Sequence, residues 1–360
     1  MNTDPGDLDR AINMRSSRHF ALLAGLALLL VLAFALSLSL GSVSIPLHEV
    51  ALILGGGKGT QPAWQQIVWL FRVPKALTAL LAGAALGIAG LEMQTLFRNP
   101  LADPYVLGVS SGASLGVALV VLGASGLLTG STLLQGVGLL GSMGVVAAAS
   151  LGAGLVMLLV LGIGQRVGTT ILLILGLMIG AAVSALVTIL LNFSIAERIQ
   201  VYIAWTFGSF SATTWQELAV FAPVMLAGLT LTGLMSKPLN ALLLGEDYAR
   251  SMGVNIRQVR TLAIVSASLL AGAVTAFCGP IGFLGIAVPH ICRRIARTTD
   301  HRVLVPATVL TGGIVALCAD IIAHVPGGDI VLPLNAITAL VGAPIVIWVL
   351  LHKQETSNRI

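Results

Sequence analysis

Lys237–Arg260 reads KPLNALLLGEDYARSMGVNIRQVR, with four basic and two acidic residues in 24, inside a chain that is only 9% charged. A segment this polar cannot lie in hydrocarbon, where charges and unpaired backbone groups are costly. It therefore forms a solvent-facing surface between two membrane-embedded halves. Asp247 is expected to cap a short helix, its carboxylate accepting from free N–H groups. Arg250 suits the last turn of that helix and Gly253 supplies a left-handed stop. Asn255 is placed to cap the helix that follows. An ordinary connecting loop would share this composition. The functional reading is a platform of two short helices on which another protein pushes.

The sequence on either side is greasy. Over 360 residues it is 57% hydrophobic, with 41 glycines and a mean hydropathy of +0.99. This excludes a soluble domain and specifies an all-α polytopic membrane protein. A hydrocarbon core of roughly 30 Å takes about 20 apolar residues per helix. Spans are expected at about 20–40, 74–96, 105–124, 137–162, 169–192, 216–235, 259–279, 281–297, 303–323 and 333–351, ten in all. The 281–297 piece contains glycine and lies between Pro280 and Pro289, so it is expected to be partly broken. Residues 1–18 carry Arg10, Arg15 and Arg18 ahead of an apolar run too long for a signal-peptide core. They form an N-terminal tail, 19–352 a single transmembrane domain, and 353–360 a C-terminal tail.

Charge supplies an independent check. With the N-terminus inside, fifteen of the Lys and Arg residues fall on the cytoplasmic side, against Lys58, Arg72, Lys75 and Arg198 outside. That asymmetry is the one expected of inner-membrane topology. Both termini and the 237–260 platform are then cytoplasmic. Glycines at helix-packing spacing, among them Gly83 with Gly87 and Gly108 with Gly112 and Gly116, allow backbones to approach closely in lipid.

Several motifs point away from catalysis. Gly108-Val109-Ser110-Ser111-Gly112 matches G-x-S-x-G, but it opens a glycine-rich membrane helix and has no base in view. Gly55-Gly56-Gly57-Lys58 lacks the Ser or Thr of a phosphate loop, so nothing here binds ATP in the usual way. The six histidines have no metal-ligand spacing, and Cys278, Cys292 and Cys318 read as small core residues. Glu92 and Asp320 lie within spans, where a carboxylate suggests ion coupling. Structural pairing or partial solvation is the reading preferred for both. Arg98-Asn99-Pro100-Leu101-Ala102-Asp103-Pro104 is expected to make a rigid turn, with two prolines stopping the helix and Asn99 and Asp103 capping neighbouring turns. Arg72 and Lys75 stand at the mouth of the second span, as interfacial anchors or as a docking point for an acidic partner.

On these residues the chain resembles the permease subunits of bacterial ABC importers for iron chelates, haem and vitamin B12, the FecCD type. The likeness runs from about 40 to 351. It includes Arg72-Val73-Pro74-Lys75, Gln94, the 98–104 turn, Leu107–Ala113, Leu244-Gly245-Glu246 with Ala249–Val254, Gly279–Gly285, Pro289-His290, Asp300-His301-Arg302, Ala319-Asp320 and Gly342-Ala343-Pro344. The resemblance implies a type II importer permease of ten helices in the bacterial inner membrane. It would pair with a second permease, commonly a copy of itself, with two cytoplasmic ATPases below and a periplasmic or lipid-anchored binding protein above. ATP and Mg would be bound by the ATPases, leaving this chain without cofactor or catalytic residue.

The resemblance also implies coupling helices at 237–258, with Leu244, Gly245, Glu246, Asp247, Arg250 and Gly253 as the coupling residues. Arg72 and Lys75 match positions that bind acidic residues of the binding protein. A third such position falls at His324, where relatives often carry arginine, so docking here is expected to be pH-sensitive. Thr169 and Thr170 match a cytoplasmic gate. The preferred cargo is an iron chelate, siderophore or haem, with cobalamin the alternative and an ion-coupled secondary transporter the more distant one.

Overall fold

A computed structural model describes residues 5–122, 139–164, 166–324 and 331–357; among these residues the regular structure is helical throughout. In chain order the helices are α1 (Pro5–Ser39), α2 (Leu47–Leu54), α3 (Pro62–Gln66), α4 (Val73–Leu96), α5 (Val109–Val121), α6 (Leu139–Gly164), α7 (Thr169–Asn192), α8 (Ala196–Thr206), α9 (Trp215–Leu234), α10 (Ser236–Leu244), α11 (Glu246–Ser251), α12 (Ile256–Cys278), α13 (Leu284–Ala296), α14 (His301–Ala323) and α15 (Leu334–Ser357). A π-helical turn, Ile67–Arg72, fuses α3 to α4.

Among the described residues, seven stretches are long and apolar enough to cross a membrane: Ser17–Ser39, Pro62–Leu96, Met143–Gly164, Thr170–Asn192, Trp215–Leu234, Ile256–Cys278 and His301–Ala323. Of the other three expected spans, two correspond to shorter apolar helices, Val109–Val121 and Leu334–Ile347, and the third, 281–297, to the short α13. α5 and α13 have 13 residues each, which at a rise of 1.5 Å per residue reach about 20 Å, short of the bilayer core. The anticipated break before α13 is present as an irregular 279–283 segment in which Phe283 has φ 68°, and Pro289 lies inside the helix. The end of the 105–124 span and the start of the 137–162 span fall outside the described residues. α1 runs unbroken from Pro5, so the polar N-terminal segment continues into the first span as helix.

α4 is the axis of the bundle. Its span is 83% buried within the chain, against 22% for those of α1, α6 and α7. The cause is composition: VPKALTALLAGAALGIAGLEMQTL places nine Ala and Gly residues between 76 and 90, so neighbours approach closely, and lipid offers no hydrophobic force that would instead favour large residues between helices. Where α4 crosses α14, a Cβ on Gly83 would lie 2.1 Å from the Gly312 carbonyl oxygen, and one on Gly312 would lie 2.3 Å from that of Gly83. Gly83→Ala must therefore push two backbones apart, at a cost of about 1–3 kcal/mol. Gly154→Ala, on α6 with nothing within 4 Å of the added carbon, should be neutral or slightly stabilising. Unfolding temperatures of the two variants in detergent check this. Equal temperatures would mean that the α4–α14 crossing does not depend on the absence of that Cβ.

Candidate functional site

The 237–260 segment does fold as two short helices, α10 and α11, between α9 and α12. They have an apolar cluster of their own, centred on Leu239, Leu242, Ala249 and Val259 and separate from the main core. Gly245 joins them at φ 124°, a conformation that side chains with a Cβ rarely adopt. Gly253 ends α11 at φ 81°, with its N–H donating to the Arg250 carbonyl (3.0 Å) and the Val254 N–H to that of Ala249 (3.0 Å). This is the expected left-handed stop. Asn255 Oδ1 accepts from the Gln258 amide at 3.1 Å, capping α12 as expected.

Asp247 behaves differently from expectation. α11 begins at Glu246 with Gly245 as its cap residue and no side-chain capping bond. Asp247 therefore sits inside the first turn, facing solvent, 3.7 Å from Arg250 Nη1. A glycine at the cap position leaves no side chain to accept the free N–H groups, and a carboxylate two residues later points outward along the helix. The Asp247–Arg250 pair is solvent-exposed and holds little.

Other contacts fasten the platform. Arg260 Nη2 donates to Glu246 Oε1 at 3.1 Å and its Nη1 to the Val167 carbonyl at 3.1 Å, tying α11 to α12 and to the loop before α7. Arg98, at φ 47°, donates from Nη2 to the Leu242 carbonyl at 3.1 Å, tying the turn after α4 to α10. In that turn Asn99 Oδ1 accepts from Leu101 N (3.0 Å) and Asp103 Oδ1 from Tyr105 N (2.8 Å), the two expected caps. Pro100 adds its carbonyl to His290 Nε2 at 2.8 Å, and Pro104 starts a 3-10 turn. Burial raises the Asp103 carboxyl to about 6 against the lowering effect of the Tyr105 amide.

Asn240 is a site residue that sequence reasoning missed. Its Oδ1 accepts from the His301 amide (2.8 Å) and lies 2.7 Å from His301 Nδ1, while its Nδ2 donates to Asp300 Oδ1 (2.6 Å). His301 Nε2 in turn lies 2.9 Å from Thr95 Oγ1 on α4. Burial works to raise Asp300, but bonds from the Arg302 and Asn240 amides outweigh it and hold the carboxylate below its usual range. One asparagine thus joins α10 to α14 and, through His301, to the axial helix. Nothing in its local sequence marks it, because all its partners are remote in the chain.

With its inner side fastened, the platform presents apolar side chains outward. Leu244, Tyr248 and Met252 are 65%, 55% and 49% exposed, and Asp247 and Arg250 stand exposed beside them. A patch of this kind marks an interaction surface.

At the opposite end, Arg72, Lys75 and His324 line one cavity of about 280 Å³ with Ser211 and the 40–43 loop. The structure brings these three residues together, but each is already engaged within the chain. Arg72 is buried; its Nη1 donates to the Leu38 and Ser39 carbonyls (2.6 and 2.8 Å) and its Nη2 to that of Val43. Lys75 Nζ lies 2.9 Å from Asp320 Oδ2, with both side chains largely buried. His324 Nδ1 lies 3.3 Å from Asp320 Oδ1, and its Nε2 lies 3.3 Å from Ser211 Oγ. Structural pairing is therefore what Asp320 does.

Glu92 is fully buried but forms no ion pair among the described residues. Its Oε1 accepts from Thr232 Oγ1 at 2.7 Å, with Ser266 Oγ 3.1 Å from that hydroxyl, and among the described residues its Oε2 has no hydrogen-bond partner. Thr169 and Thr170 begin α7, the latter exposed.

Comparison with known proteins follows the same outline. The profile of the FecCD transport family matches residues 29–352. The vitamin B12 import system permease protein BtuC of Klebsiella pneumoniae is 37% identical over 344 residues, covering 95% of this chain and 96% of its own. An uncharacterized ABC transporter permease protein of Bacillus subtilis, YvrB, is 32% identical over 351 residues, 96% of this chain and 97% of its own. A solved structure described as a metal-chelate type ABC transporter in an inward-facing conformation aligns with a TM-score of 0.79 at 30% identity, covering 92% of this chain and 99% of the other.

Proposed function

The chain belongs to the FecCD transport family, and from that premise we propose that α10 and α11 are the surface through which a partner ATPase drives it. The coarser statement needs no proposal: this is the permease subunit of an ABC importer, a multi-pass inner-membrane protein and a transporter component, not an enzyme. The observation that carries the coupling reading is the outward set Leu244, Tyr248 and Met252 on a platform whose other side is locked by Asn240, Arg98 and Arg260. Such a part moves as a unit when pushed. ATP and Mg are held by the ATPase, whose closure displaces the platform; the Asn240–His301–Thr95 chain then carries the displacement to α14 and α4. Both termini lie in the cytoplasm, two copies of the chain surround the pathway, and Thr169 and Thr170 gate its cytoplasmic end.

At the external face, the cavity lined by Arg72, Lys75 and His324 receives an acidic side chain of the binding protein. The juxtaposition of three basic residues around one opening supports this. The cargo is a bulky metal chelate. The sequence resemblance favours an iron chelate; the import function named for the Klebsiella relative supports a corrinoid ahead of it.

The test is to purify the chain from its own membrane and identify what accompanies it, then to reconstitute that assembly with its binding protein. An ATPase in near-equal amount, with uptake of labelled cobalamin competed by excess cobalamin and not by a ferric siderophore, is the expected result. Solute movement by the chain alone down an ion gradient would overturn the reading and move attention to Glu92.

A further inference from the structure

A second cavity, of about 190 Å³, opens beside the platform where α6 ends and α12 begins, near α11. It is lined by Arg250, Arg257 and Arg260, the last bonded to Glu246 in the same wall, and by the apolar Leu161 and Ile264. Counting Asp247, which lies outside the cavity but 3.7 Å from Arg250 Nη1, the cluster has a surplus of one positive charge. That surplus equals the charge of one phosphodiester. Arginine suits such a group because its planar fork meets two phosphate oxygens at once.

The surroundings indicate where the anion comes from. Leu158 and Leu155, one and two turns further along α6 from Leu161, are 67% and 66% exposed, and they belong to a stretch apolar enough to lie in hydrocarbon. An arginine-lined opening at the end of an exposed apolar helix face has the polarity gradient of a phospholipid, with charge at the head and apolar surface behind it. Basic pockets between transmembrane helices on the cytoplasmic side take lipid head groups for this reason.

We propose that this cavity binds the phosphodiester head of an anionic glycerophospholipid, whose acyl chains lie along α6. The lipid neutralises the arginine cluster and joins α11 to α6 and α12, next to the surface on which the ATPase acts. The cytoplasmic placement rests on the topology proposed above; the binding itself does not.

The test uses the full-length chain, delipidated in detergent micelles doped with phosphatidylglycerol, with phosphatidylethanolamine or with neither, and separately with inorganic phosphate. Phosphatidylglycerol is expected to raise the unfolding temperature by several degrees and to saturate; phosphatidylethanolamine should leave it unchanged. Arg257→Gln should weaken the phosphatidylglycerol effect about 10-fold, as loss of one charge-assisted contact implies, while Arg257→Lys retains most of it and Arg302→Gln, far along the chain, retains all of it. Equal stabilisation by both lipids, or an unchanged response in Arg257→Gln, would overturn the site. Saturable stabilisation by inorganic phosphate alone would overturn the lipid as its occupant. So would loss of bound phosphatidylglycerol when the ATPase assembles, since an acidic group of that partner would then fill the cavity. These readouts are made in detergent, so they stand or fall independently of the chain's orientation and cargo.

Discussion

Asp320→Ala is expected to lower stability by about 3–5 kcal/mol, the range for removing one partner of a buried ion pair. Asp320 is 2% exposed, with the Lys75 ammonium at 2.9 Å and the His324 imidazole at 3.3 Å. Without the carboxylate, Lys75 is left as an uncompensated charge in a low-dielectric pocket that also holds the Arg72 guanidinium. Asp320→Asn preserves shape but removes the charge, so it should fall nearly as far. The double variant Asp320→Leu, Lys75→Met should recover most of the loss, because it removes the unpaired charge together with its partner. Denaturation in detergent distinguishes these outcomes. If Asp320→Ala unfolds with the native protein, the pair is not structural and Lys75 is available for docking as it stands.

Leu244→Asp combined with Tyr248→Asp should abolish co-purification of the ATPase, weakening the complex at least 100-fold. Central aromatic and aliphatic anchors account for most of the energy of an interface, and truncating one typically costs 2 kcal/mol or more; placing two carboxylates there costs further desolvation. Both residues are more than half exposed, so the unfolding temperature of the isolated chain should not change. Arg250→Ala alone should have a smaller effect on assembly, since its pair with Asp247 is exposed and weak. Retention of the ATPase by the double variant, with native stoichiometry, would remove the platform from the interface.

These two predictions differ in how far the sequence anticipates them. The platform was legible as a polar break with Gly245, Gly253 and Asn255 at its punctuation points, because backbone conformation at a turn is a local matter. Its outward face was less so. Leu244, Tyr248 and Met252 are ordinary apolar residues until the fold shows that nothing in the chain covers them. The basic residues Arg72, Lys75 and His324 could be grouped only through the resemblance to a family. Their burial and their engagement with backbone carbonyls and Asp320 depend on how α1, α4 and α14 meet. The misplacement of Asp247 has a local cause: the helix begins two residues earlier than a capping carboxylate at 247 would require, because Gly245 takes the cap.

The sequence by itself determined that this chain is a helical membrane protein, where most of its spans fall, where its polar platform interrupts them and which turns are rigid. These properties follow from hydrophobic run length, charge distribution and the backbone preferences of glycine, proline and asparagine, all of which act over a few residues. Tertiary structure alone decided which remote groups meet: Asn240 with His301, Arg260 with Glu246, Lys75 with Asp320, and Glu92 with Thr232. In a low-dielectric interior a polar atom left without a partner is costly. The partner is whatever the packing of Ala- and Gly-rich helices brings within hydrogen-bond distance, and sequence distance carries no information about that.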